Sequence, residues 1–187
     1  MKRNQVILIY GMPASGKYTV AKQIQEKCGG ILLDNHYFYD LFIEKTEGSD
    51  ERWFDFVRSV SSVRKAFFNV LREFYPKKHP TRYIFTGVYS RGEKGPARLQ
   101  KFARDIDADF IPIELTVKKE VLMSRCDTSE RRKRKKLSDR KKYSNFVDDW
   151  MPGAYHSRHV NKLVLDSSEQ TAEETFKLVK KYLKKFD

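Results

Sequence analysis

The stretch QVILIYGMPASGKYTVA, residues 5–21, constrains the fold more than any other part of the chain. Val6–Tyr10 form an unbroken apolar run, the mark of a strand covered on both faces. Gly11 and Gly16 permit sharp backbone turns, and Val20, Ala21, Ile24 and Cys28 then recur at helical spacing. A strand that passes through a G-x-x-x-x-G-K loop into a helix aims successive N–H groups at one point, backed by the positive end of the helix. Lys17 adds a point charge there. Such a loop grips the phosphates of a nucleoside triphosphate. Gly11, Met12, Pro13, Ala14, Ser15, Gly16, Lys17, Tyr18 and Thr19 are the expected cradle.

Tyr18 departs from the pattern. A Ser or Thr after the lysine ordinarily lends its hydroxyl to Mg²⁺, and a phenol on a rigid ring cannot take the same place. Thr19 lies about 100° further round the helix, better placed for a phosphate oxygen than for a metal. Mg²⁺ keeps several waters and needs few protein ligands, so another carboxylate with water and nucleotide oxygens can hold it.

The remaining apolar runs, 31–33, 82–85, 110–115 and 162–165, alternate with longer amphipathic segments, the pattern of a parallel α/β sheet. Trp53, Phe56, Val57, Val60, Val63, Phe67, Val70, Leu71 and Phe74 predict one long helix ending near Pro76 and Pro80, its aromatics more suited to burial than to ligand binding. Thr171 and Glu174 suggest a capping box, followed by Phe176, Val179, Leu183 and Phe186 on the buried side of a last helix. At 187 residues one domain accounts for the whole.

Ligands of open α/β sheets lie beyond the carboxyl ends of the strands. The second strand ends in DNH, and Asp34 is the candidate for orienting an acceptor hydroxyl and, through water, Mg²⁺. His36 is an alternative for the hydroxyl, or a helix cap. Thr86 follows the third strand, where many ATPases carry a metal-supporting aspartate; its presence argues against a motor-type ATPase. Thr86 and Arg91 are candidates for holding the acceptor. Asp166 and Ser167, after the fifth strand, form a turn that could flank the base, although the same residues make an ordinary turn.

Lys and Arg number 38 against 25 acidic residues, a net charge of +13 that favours anionic ligands. Nine of the twelve residues 131–142 are basic. A basic lid spanning 126–145 would stabilise a transferring phosphoryl group, with Arg125 and one of Arg131 or Arg132 at work. A solvated loop and a nucleic-acid patch are the alternatives. The two cysteines and four scattered histidines suggest neither a disulfide framework nor a zinc site. No stretch is long enough to span a bilayer, which favours a cytoplasmic protein, with a monomer as the simplest state.

With GKYTVA, DNH, FTGV and SERRKRKKLSD in view, the chain resembles the small P-loop kinases of the shikimate, gluconate and nucleoside-monophosphate kinase superfamily. Within it, the sequence is most similar to shikimate-kinase-like ATP-binding proteins, with Arg131 or Arg132, Lys136, Leu137 and Asp139 matching in the basic segment. The resemblance covers nearly the full length. It implies a three-layer P-loop fold with a five-stranded parallel sheet in order 2-3-1-4-5, ATP with Mg²⁺, and phosphoryl transfer to a small-molecule acceptor. The acceptor subdomain would lie in 37–80, where Tyr37, Phe38 and Tyr39 either line a pocket or pack against the sheet. No paired arginines for a shikimate carboxylate are identifiable. A kinase of RNA or DNA ends and a nucleotide-binding protein without transfer activity are the rival readings.

Overall fold

The computed structural model describes residues 3–34, 62–63, 65–73, 80–89, 94–133 and 136–187. Five parallel strands, β1 (Asn4–Tyr10), β2 (Ile31–Asp34), β3 (Arg82–Gly87), β4 (Ala108–Thr116) and β5 (Leu163–Asp166), form one sheet in the order β2-β3-β1-β4-β5. The expected order is thus the one observed, and each apolar run lies within a strand, except that Lys162 stands just before β5.

β1 is central, and its side chains from Val6 to Tyr10 are buried on both faces. Ile7 and Ile9 face helices α1 (Lys17–Cys28) and, near the C-terminus, α6 (Ala172–Leu183), through Val20, Ala21, Ile24, Phe176, Val179 and Leu183. Val6, Leu8 and Tyr10 face α2 (Lys94–Asp105) through Leu99, Phe102 and Ala103. The period of two along a strand divides these residues between two cores. α6 opens on the expected capping box, with Thr171 and Glu174 satisfying each other's backbone N–H groups.

Residues 65–73 are helical, and Phe67, Phe68 and Leu71 pack against the α2 side of the sheet. Here the sequence reading needs correction. Val70, placed on the buried stripe, is half exposed, while Phe68 stacks on Phe85 at 5.6 Å and meets Phe102 edge-on at 5.3 Å. A large ring that fills the gap between β3 and α2 sets the helix's rotation, against the simple count of apolar spacings. The rest of the predicted helix, from Trp53 to Val60 and Phe74, lies outside the described residues, as do Tyr37, Phe38 and Tyr39.

Beyond β4 come α3 (Lys119–Arg125), α4 (Ser129–Lys133) and α5 (Arg140–Trp150). Leu122, Cys126, Tyr143 and Val147 join Val117 in a third apolar cluster, against which Met12 and Ala14 of the glycine loop pack. Helix α5 starts inside the basic block, where the sequence reading placed no element. Asp139 caps it by accepting from the Lys142 N–H at 2.7 Å. Among the described residues, no helix is long and apolar enough to cross a membrane.

Candidate active site

The glycine loop occupies the bend between β1 and α1, at the carboxyl end of the sheet. Gly11 has φ +146°, and a Cβ there would stand 2.2 Å from the main-chain oxygen of Leu115. Only glycine lets β1 turn so close against β4. Gly16 has φ +88° and precedes the first turn of α1. Between them Ala14 adopts φ +63°, a left-handed conformation that costs about 1 kcal/mol or more for a residue with a Cβ. Two outside contacts and one within the loop hold this strained turn. The Tyr143 hydroxyl donates to Pro13 O at 2.6 Å, the Ser167 hydroxyl donates to Ser15 O at 3.3 Å, and Ser15 N returns to Met12 O at 3.2 Å.

Lys17 turns its ammonium inward, donating to Met12 O at 2.6 Å and to Ser15 Oγ at 3.4 Å. Its pKa is lowered to about 7, first by burial and then by repulsion from Lys136 and Arg131, with Asp34 acting in the opposite sense. The two basic side chains belong to the 126–142 segment, so this segment brings positive charge to the glycine loop.

At the end of β2, Asp34 is 2% exposed, and its Oδ1 accepts from the Thr86 hydroxyl at 2.6 Å. The parallel register that pairs Asp34 with Thr86 makes this contact possible. Thr86 thus orients the carboxylate from the strand position where many ATPases carry an aspartate.

Lys17, Tyr18, Thr19, Asp34, Thr86, Arg125, Arg131 and Ser167 line one cavity of about 790 Å³. Pro13 to Gly16 complete the loop's share of its wall. Gly11 and Met12 lie behind it, as backbone turn and as packing against the third cluster.

Other candidates stand apart. Arg132 forms an ion pair with Asp127, is largely exposed and does not line the cavity. Asp166 folds onto its own turn, accepting from Ser168 N at 2.9 Å and from the Ser168 hydroxyl. These bonds hold its carboxyl below the usual range. His36 and Arg91 lie outside the described residues. Arg125 does line the cavity, but its guanidinium donates to the carbonyls of Ser167 and Ser168 at 3.0 and 3.2 Å. It is thereby fixed beside the turn after β5.

Several cavity residues were not anticipated as site residues. Lys136 lines it with its ammonium over the Tyr18 ring, 5.1 Å from the centroid. Phe146 reaches it from α5, stacked on Trp150, and Gln170 and Thr175 from the start of α6. Tyr143, Phe146, Val147 and Trp150 do follow a helical three-and-four spacing, a signal obscured by the lysines before it.

No family model matches the sequence, and no curated protein matches it. Solved structures match along the whole chain. A protein from Chloroflexus aurantiacus J-10-fl superposes with a TM-score of 0.68 at 16% identity, covering 99% of this chain and 98% of its own. A gluconokinase from Sinorhizobium meliloti 1021 gives 0.59 at 14%, with 99% and 95% covered. The APS kinase of Mycobacterium tuberculosis, solved with AMPPNP and APS, gives 0.55 at 14%, with 97% and 98% covered. At this identity the likeness is one of fold. In its described residues the chain has the fold of the P-loop small-molecule kinases.

Proposed function

We propose that this protein is an ATP-dependent phosphotransferase that moves the γ-phosphoryl group to a hydroxyl of a small-molecule acceptor. The observation that carries the reading is the position of Asp34. A buried carboxylate, aimed by Thr86, faces the same cavity as the phosphate loop and its lysine. Such a carboxylate can take up the proton of an acceptor hydroxyl as well as hold Mg²⁺ through water.

In this reading Lys17 and the loop amides hold the β and γ phosphates, and Thr19 supports them at the mouth. The acceptor hydroxyl donates to Asp34. As the acceptor oxygen bonds to the γ phosphorus, the bond from phosphorus to the β–γ bridging oxygen breaks, and the hydroxyl proton passes to the Asp34 carboxylate. The work is positioning and charge stabilisation, which phosphoryl transfer chiefly requires. Arg131 faces the transferring group from the basic segment. Arg125, with Ser167, flanks the nucleotide base.

Mg²⁺ fits this site in a restricted way. Among the described residues, no group of three His, Cys, Asp or Glu side chains could hold a metal. The single carboxylate of Asp34 suffices for an ion that comes with the nucleotide and retains water. Bound with the nucleotide, Mg²⁺ would neutralise phosphate charge. Asp34 would hold it through water.

The basic segment gives more support to a small acceptor than to RNA or DNA. Arg131 and Lys136 line the cavity and Arg132 pairs with Asp127, so these three cations are engaged within this chain. The test is incubation with γ-labelled ATP against fractionated metabolites and, separately, RNA. Label should enter a small hydroxylated metabolite. Asp34→Asn should slow that transfer about 10²–10⁴-fold, the scale of general-base removal, while ATP still binds. Label in RNA alone, or full transfer by the Asn variant, would refute the assignment.

A further inference from the structure

Tyr18 stands where loops of this kind present a hydroxyl to Mg²⁺. Its ring packs partly against the core between β1, α1 and α6, which fixes its plane. Over that ring lies the ammonium of Lys136, 5.1 Å from the centroid. The backbone that carries Lys136 is itself held. Lys136 N donates to Arg131 O at 3.0 Å, and the Arg131 guanidinium donates to Cys126 O at 2.9 Å and Leu137 O at 2.7 Å. Arg131 thus ties Cys126 to Leu137 and helps present Lys136 to the loop.

We propose that Tyr18 is a positioning residue that seats Lys136 at the phosphate loop, so that a side-chain cation supplies part of the polyphosphate neutralisation that a loop-held Mg²⁺ gives elsewhere. The proposal rests on the nucleotide-binding reading above. An aromatic face suits the task better than an acid would. A carboxylate would hold the lysine by cancelling its charge, whereas the ring attracts it through its quadrupole and brings no negative charge of its own. Lys136 lines the same cavity as Lys17, and its charge acts with burial to lower the Lys17 pKa. Lys17, Arg131 and Lys136 therefore converge on one cavity. Binding of ATP should depend less on Mg²⁺ than it does where a loop hydroxyl holds the metal.

Calorimetric titration of the full chain with ATP, in EDTA and again with excess Mg²⁺, tests this without any turnover. The wild type should bind both forms, with metal-free ATP no more than about tenfold weaker. Tyr18→Leu and Lys136→Met should each lose about tenfold in affinity for metal-free ATP, the scale of a partly desolvated cation–π contact, and less for the magnesium complex. The double variant should be no worse than either single one, and Tyr18→Phe should rescue what Tyr18→Leu loses. Losses that multiply, unchanged affinities in both single variants, or a wild type that binds ATP only with Mg²⁺ would overturn the role of Tyr18 and leave the kinase reading intact. A wild type that binds neither form would overturn both.

Discussion

A lysine whose pKa sits near 7 makes the loop sensitive to pH in a definite direction. With the site empty, Lys17 is mostly neutral above pH 7, because burial and two neighbouring cations disfavour its charge. Polyphosphate reverses that balance, so binding must draw a proton onto the amine. Titration of ATP at pH 8.5, in two buffers of different ionisation enthalpy, should show uptake approaching one proton. Lys17→Arg, permanently charged, should show none. Absence of uptake in the wild type would mean that Lys17 is already protonated when ATP arrives. The sign for stability follows the same shift. Between about pH 7 and the ordinary lysine range, the unfolded chain holds a proton that the folded site has shed. Over that window the penalty this group imposes on the folded state is progressively relieved as pH rises.

Helix α5 supports the loop from behind. Tyr143 is fully buried; its hydroxyl bonds Pro13 O, and its ring lies 5.8 Å from the Arg131 guanidinium. Tyr143→Phe should cost about 1 kcal/mol of stability, the net worth of one hydrogen bond, measured by urea denaturation, and should weaken ATP binding several-fold. Unchanged ATP affinity in a destabilised variant would show that the strut serves the fold alone. α5 also shows what the sequence concealed. Strands such as Val6–Tyr10 were legible because burial on both faces leaves an unbroken apolar run. The glycine loop was legible because its turns admit little but glycine. α5 buries only Tyr143 and Val147, and its first turn, RKKY, reads as part of the charged block. The site residues split along the same line. Lys17 and Asp34 follow from strand ends and could be located by counting. The Tyr18–Lys136 contact and the Tyr143 strut join residues more than a hundred positions apart, which no local pattern records. Arg132 was indistinguishable from Arg131 by sequence; only the turn of α4 sends one inward and the other to Asp127.

Across the whole molecule, charge and fastening occupy opposite rims of the sheet. At the amino-terminal rim, Arg82 is nearly buried. Its Nε donates to Gln5 Oε1 at 2.8 Å, its other nitrogens reach Cys28 O and Asp187, and Gln5 Nε2 donates to Phe186 O at 3.0 Å. This network ties β1, β3, the end of α1 and the C-terminus together. Arg82→Leu should lower stability by about 2–3 kcal/mol, the cost of stranding buried polar partners, yet leave ATP affinity unaltered in the folded fraction. A matching fall in affinity would mean that the two rims are coupled through β1. A molecule fastened along one edge and equipped along the other separates the positions selection must preserve from those it can rewrite. Exchanging a handful of side chains at the strand tips would change what such a cavity accepts without asking the chain to discover a new way to fold.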